Sequence, residues 1–199
     1  MAVGEVAIAN IALDMLQETP LASFEEASSA ARWFKRNYGP ARDQMLRIHP
    51  WNFAMRRASL PAASPAPAFE WSAAYDLPSS PWCLRLMPLT DDGKATGRMV
   101  PYSIEGRQVL CNMGAPLKIR YIARVGEAEF DAAFVQAFAA MLAARAAHWI
   151  TGKASMVDRL DKTAREAMEM ARLIDGFEEG PTFPDQNDWL DGRQLGVRY

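Results

Sequence analysis

Apolar residues near both ends of the chain recur at the three- and four-residue steps of an amphipathic helix. This pattern predicts four helices, over residues 3–18, 27–48, 130–151 and 155–174. The sequence Ser23-Phe24-Glu25-Glu26 has the form of a capping box and should start the second helix. Within that helix, Gly39-Pro40 should produce a kink or divide it in two, because proline removes a backbone donor.

The middle of the chain has a different pattern. Its prolines recur too closely for long helices to form. Short apolar runs typical of strands lie between them, at residues 82–89, 99–104, 108–113 and 117–125. Glu105-Gly106 suits a tight turn that joins the second and third of these runs into a hairpin.

The order of these elements predicts an α+β fold. Residues 1–50 and 127–178 should form an antiparallel helical bundle from both chain ends, because their apolar faces must be buried against each other. Residues 51–126 should be inserted into it as an antiparallel β-rich lobe. Residues 179–199, which lack periodicity, are predicted to be an extended C-terminal tail.

Composition excludes several classes of protein. Half of the 199 residues are apolar and 23% are charged, as in globular proteins, and a net charge of −2 argues against a general nucleic-acid coat. Cys83 and Cys111 fit a reduced compartment.

Residues 132–150 are long enough to span a bilayer, but Arg145 and His148 favour a buried core helix, and no membrane partner is predicted.

Residues with catalytic chemistry form no recognisable pattern in the sequence. His49 and His148 lack the spacing of metal ligands, and the chain has neither a phosphate-binding glycine loop nor a serine elbow. Glu127, Glu129 and Asp131 cluster before the third helix, where acids favour the helix N-terminus. The chain is therefore predicted not to be an enzyme and to have no catalytic, cofactor or metal site.

Charge is distributed unevenly along the chain. Seven basic residues and one acid lie between residues 32 and 57, whereas six acids and no base lie between residues 175 and 191. These runs are either solvated surfaces or an acidic tail that docks on a basic surface of its own chain or of a neighbour. The aromatic Trp189 favours docking. The predicted interface residues, which should dock on a partner protein or a neighbouring subunit, are Trp189, Leu190, Asp188, Asp191, Arg32, Lys35 and Arg36.

An ordered set of motifs resembles one protein family. Residues 42–54, Arg42-Asp43-Gln44-Met45-Leu46-Arg47-Ile48-His49-Pro50-Trp51-Asn52-Phe53-Ala54, resemble a helix end and the following turn in podophage tail tubular protein A. Residues 102–122, 130–152 and 188–190 are similar, in the same order, to that family's central β region, alanine-rich third helix and C-terminal motif. The family comprises head-to-tail adaptors, which are also found in gene transfer agents.

The resemblance implies a structural connector without catalytic residues or cofactors. It implies a ring, a dodecamer, between the portal protein and the tail nozzle, tube or stopper protein, with a channel through which DNA passes without sequence-specific binding. The expected location is the virion or gene transfer agent particle, assembled in the bacterial cytoplasm. Two alternatives stay open: a virion-associated cell-wall (peptidoglycan) hydrolase, as discussed for some family members, and a helical binding module of bacterial origin.

Overall fold

The computed structural model describes residues 4–152 and 154–178, and the tail predicted over residues 179–199 lies outside this range. The described residues contain both helices and sheets, which confirms the predicted α+β class. The α-helices are α1 (Glu5–Leu16), α2 (Ser29–Ile48), α3 (Ala132–Thr151) and α4 (Ala154–Glu178). Short 3₁₀ helices follow α2 at Asn52–Ala54 and precede α3 at Glu127–Glu129.

Helix α2 differs from its prediction at two points. It begins at Ser29, because Ser28 is the residue whose hydroxyl accepts the Ala31 N–H at 3.0 Å. The predicted capping box instead closes a separate turn, in which Glu26 accepts the Ser23 N–H at 3.1 Å. The helix also continues through Pro40, so its division into two helices is wrong. Pro40 is exposed, where water can satisfy the backbone groups that proline leaves unpaired.

Helix α3 lies at the centre of the helical part. Its start and end follow from local chemistry: Asp131 accepts the Ala133 N–H at 2.7 Å, and Gly152 ends the helix in the left-handed conformation, with φ of 67°. Helices α1, α2 and α4 all contact α3, and eleven residues of α3 are buried. The helices from the two ends of the chain therefore touch.

Six strands form two small antiparallel sheets in the described residues. The strands are β1 (Met55–Leu60), β2 (Ala73–Asp76), β3 (Cys83–Leu86), β4 (Tyr102–Glu105), β5 (Gln108–Cys111) and β6 (Leu117–Ala123). Their orders are β1-β6-β3 and β2-β5-β4. The predicted hairpin is confirmed as β4–β5, with Gly106 at φ of 57° in its turn. Strands β1 and β2 were not predicted, since β1 is rich in polar residues and β2 is very short.

One hydrophobic core joins the helices to the sheets. The connection after α2 lies inside it: Trp51 is 1% exposed, and its ring packs edge-on against Phe134 of α3 with centroids 5.0 Å apart. Phe53 contacts the same ring at 5.0 Å. Helix α2 also contacts β3 and β6 directly. The helical and β-rich parts thus share buried side chains at this connection.

Candidate interaction site

The three basic residues of the predicted interface lie together on α2. Arg32, Lys35 and Arg36 are exposed and occupy one face of the helix, as their spacing requires. The Lys35 ammonium pairs with the Glu25 carboxylate at 2.5 Å, and the Arg36 guanidinium lies over the Trp149 ring, 5.9 Å from its centroid. The structure therefore forms a basic face, but one of its charges already has an acidic partner.

The acidic half of the predicted interface is only partly described. Asp188, Trp189, Leu190 and Asp191 lie outside the described residues, so their docking stays a prediction. Asp175, the first acid of the acidic run, belongs to α4 and is 9% exposed. This acid is therefore part of the packed structure rather than a solvated charge.

Asp175 ties α4 to the connection that follows α2. One carboxylate oxygen accepts the Asn52 backbone N–H at 2.9 Å, and the other lies 3.0 Å from His49 Nε2. The Asp175 carbonyl also accepts a bond from the Asn52 side-chain amide at 2.7 Å. The residues at 49–54, which carry part of the family resemblance, therefore serve as a clamp on the last turn of α4.

The carboxylates that precede α3 are engaged in structural contacts. Glu127 pairs with Arg42 of α2 at 3.1 Å, and Glu129 pairs with Arg56 of β1. Asp131 caps α3, which therefore begins at Ala132 rather than at the predicted residue 130. These contacts hold the segment before α3 against α2 and the first sheet, so the three carboxylates have structural roles.

A pocket with three arginines lies between the end of α2, β3 and the β4–β5 turn. Its volume is about 270 Å³, and its lining includes Arg47, Arg85 and Arg107 but no carboxylate. Trp82 and Ile104 line the pocket too and are 38% and 48% exposed. We call this feature the arginine pocket. Sequence reasoning missed it because the three arginines are far apart along the chain and no local motif connects them.

The arginines of this pocket are held by backbone carbonyls. Arg47 donates to the Leu84 carbonyl at 2.6 Å, Arg85 donates to the Arg47 carbonyl at 2.9 Å, and Arg107 donates to the Cys83 carbonyl at 3.0 Å. No ion pair to any of the three forms within the described part of the chain. Burial raises the pKa of the Cys83 thiol, so this neighbour stays neutral. The pocket therefore carries three positive charges without a balancing acid.

The last turns of α4 present an apolar surface. Met170, Leu173, Ile174 and Phe177 follow the spacing of one helix face and are 56%, 53%, 36% and 79% exposed. We call these four residues the α4 stripe. On another side of the same helix, Leu160 and Ala171 are buried against the rest of the fold. The α4 stripe is thus a second face of the helix, separate from the one that packs in the core.

Other chemistry is sparse in the described residues. Residues 4–152 and 154–178 hold no group of three or more His, Cys, Asp or Glu that could bind a metal ion.

Helix α3 is long and apolar enough to cross a membrane, but 61% of its most apolar window is buried within the fold. A buried core helix has the same length and composition, so this property alone does not indicate a membrane span.

Comparison of the sequence with known proteins identifies no family. No protein-family model matches the chain, and no curated protein matches it. The resemblance to head-to-tail adaptors therefore depends on the ordered motifs alone, and the function has to be inferred from the geometry described above.

Proposed function

We propose that the chain is a structural head-to-tail adaptor of a phage or gene transfer agent particle. In this proposal it forms a ring between the portal and the tail, with a channel for DNA. The four helices make up the antiparallel bundle of the subunit, and residues 51–126 form the lobe that faces the tail.

The burial of Trp51 and Ala54, within residues 49–54, carries this proposal. These residues belong to a motif that resembles the adaptor family, and they join the helical part to the β-rich part. Trp51 is buried in the shared core, while His49 and Asn52 hold Asp175 of α4. A connector between the portal and the tail needs its helical part and its β-rich part to keep a fixed orientation. Close packing of the buried residues between the two parts supplies that rigidity.

Exposed apolar residues supply surfaces suited to ring formation. A closed ring uses heterologous contacts, in which two different patches of one subunit meet those of its neighbours. The α4 stripe is one such patch, and the β-rich part contributes Phe69 and Met99, which are 80% and 74% exposed. Apolar and aromatic residues are enriched at the buried centre of such interfaces.

The environment of the acids favours a connector over a cell-wall hydrolase. A glycosidase uses a pair of carboxylates that face each other across the sugar. Glu127 and Glu129 instead pair with arginines, and Asp131 caps a helix. No observation on the described residues favours peptidoglycan hydrolysis over the connector.

Electron microscopy of the full chain mixed with its cognate portal tests the proposal. We expect a ring of this protein on the portal, between portal and tail. A mature particle without such a ring at the portal–tail junction would refute the adaptor function, whereas turnover of purified peptidoglycan would support the hydrolase. A monomer in solution decides nothing, because the portal can template the ring.

A further inference from the structure

In the described part of the chain, basic residues gather on one face of α2, in the groove between α3 and α4, and in the arginine pocket. The face of Arg32, Lys35 and Arg36 is convex, and its lysine already pairs with an acid. The groove between α3 and α4, with a volume of about 310 Å³, contains Asp161 and Glu169 besides its arginines. The arginine pocket differs from both, because it is concave and no carboxylate lines it.

The sequence contains a segment with the complementary chemistry. Residues 185–191, Asp185-Gln186-Asn187-Asp188-Trp189-Leu190-Asp191, carry three acids, an aromatic residue and no base. We propose that the arginine pocket is the docking site of this segment from the same chain. The aspartates bind the arginines, and Trp189 packs against the apolar wall. This inference goes beyond the adaptor function and does not depend on it.

The end of α4 lies beside the connection that follows Arg47 of the pocket. Asp175 is held 3.0 Å from His49, and Arg47 of the pocket is only two residues before that histidine. From Glu178, the last described residue of α4, residues 179–188 can span up to roughly 30 Å when extended. The tether therefore reaches the pocket, and it gives the segment an effective concentration on the order of millimolar.

The lining of the pocket suits an acidic segment with an aromatic anchor. Each guanidinium has five N–H donors, and the contacts of Arg47 and Arg85 occupy only some of them. A docked carboxylate accepts from the remainder with charge-assisted bonds. The Arg107 guanidinium already lies over the Trp82 ring, 3.7 Å from its centroid, and the exposed Ile104 side chain adds an apolar wall for Trp189.

A photo-crosslink in the full chain locates the docked segment. Trp189 is replaced by p-benzoylphenylalanine, which keeps an aromatic anchor, and the crosslinked peptides are identified by mass spectrometry. We expect crosslinks to the pocket lining around Trp82 and Ile104. Crosslinks to the face of Arg32 and Arg36, to the α3–α4 groove, or to no site at all would overturn the proposal.

A mixture of isotope-labelled and unlabelled chains decides whether the segment docks on its own subunit. Crosslinked peptides of a single isotope composition are expected, because both partners come from one chain. Peptides of mixed composition would overturn docking within the chain and would indicate exchange between subunits. The experiment uses no portal, so absence of the crosslink would not contradict the adaptor function. Absence of a ring on the portal would likewise not contradict docking of the segment.

Hydrogen exchange of residues 185–191 tests the charge contribution. We expect exchange about fivefold faster in Arg85→Gln, since one charge-assisted contact is lost. Arg57→Gln is the matched control, because Arg57 is an exposed arginine of β1 outside the pocket. The Asp188→Asn and Asp191→Asn variants change only the segment and should accelerate exchange as well. Equal exchange in all variants would overturn the role of the pocket.

Discussion

The carboxylate of Asp175 accepts hydrogen bonds from two residues of the connection after α2, His49 and Asn52. The side chain is nearly buried, so the change Asp175→Ala leaves the Asn52 N–H without its acceptor and releases the last turn of α4. We expect the free energy of unfolding to fall by about 2–3 kcal/mol. Urea denaturation followed by circular dichroism measures this change.

The matched control for that change lies on the same helix. Asp158 is exposed and has no ion-pair partner among the described residues, so Asp158→Ala should change the free energy of unfolding by less than about 0.5 kcal/mol. An equal loss of unfolding free energy in the two variants would mean that the hydrogen bonds of Asp175 to His49 and Asn52 do not stabilise the fold.

Tyr38 presents the opposite case, a polar group whose removal should stabilise the fold. It is 2% exposed, and no hydrogen bond of good geometry reaches its hydroxyl in the described part of the chain, although the Glu127 carboxylate is close enough to act on it. Because Tyr38→Phe removes the cost of burying that hydroxyl, we expect a gain of about 1 kcal/mol in the free energy of unfolding. The half-buried Tyr102 provides the control, Tyr102→Phe, which should be neutral. A loss of stability in Tyr38→Phe would show that the hydroxyl has a partner in solution.

The same tyrosine should make stability depend on alkaline pH. Burial, and next the Glu127 carboxylate, raise the pKa of Tyr38 above its ordinary value. Above about pH 10 the unfolded chain therefore loses a proton that the folded chain keeps, so stability falls as the pH rises. Burial also raises the pKa of Tyr75 and Tyr121, which add to the fall. Urea denaturation at successive pH values should give a shallower fall for Tyr38→Phe, and an unchanged slope would contradict this assignment.

The β4–β5 hairpin depends on the backbone of one glycine. Gly106 has φ of 57°, and no atom lies within 4 Å of the Cβ that another residue would add there. Gly106→Ala therefore introduces backbone strain without a clash, and we expect a loss of about 1 kcal/mol in thermal or urea denaturation. Gly114 also has free space but is not in the left-handed region, so Gly114→Ala should leave stability unchanged or raise it. The reverse order of the two effects would exclude backbone strain as the cause.

Elements with local determinants could be predicted from the sequence. The end of α3 at Gly152 and the turn at Gly106 were predicted from local residues, whereas the cap at Asp131 starts α3 at Ala132, two residues after its predicted start. The start of α2 was misplaced because Ser23 and Ser28 offer the same capping chemistry. Burial of Ala31 and other residues after Ser28 selects the second serine, and tertiary packing of this kind is invisible to a local pattern.

The missed features are those that form between distant parts of the chain. Strand β1 reads as polar because it contains Arg56 and Arg57, and only its pairing with β6 makes it a strand. The sequence pattern places Asp175 in a run of exposed acids. In the structure its carboxylate is instead bound by His49 and Asn52, which are more than 120 residues away along the chain. The arginine pocket combines α2, β3 and the β4–β5 turn, so no window of the sequence contains it.

The described part of the chain combines a rigid interior with apolar surfaces that no other described residue covers. Its core is continuous from the helices to the first sheet, and the clamp on Asp175 fixes the end of α4 to the connection after α2. The α4 stripe emerges at that same fixed end and remains exposed. A rigidly held apolar surface loses little conformational entropy on binding, which favours its use as a contact between subunits.

The last prediction concerns this surface in the proposed ring. Leu173 and Phe177 are 53% and 79% exposed, so the double change Leu173→Glu and Phe177→Glu should leave the subunit folded by circular dichroism. In a ring, the added charges would be buried without partners, and we expect at least tenfold less adaptor bound to portal particles in a sedimentation assay. Thr163→Glu, at an exposed position of the same helix, is the control and should bind normally. Normal binding of the double variant would show that the ring forms through other surfaces, whereas unfolding of the variant would place the α4 stripe in the core.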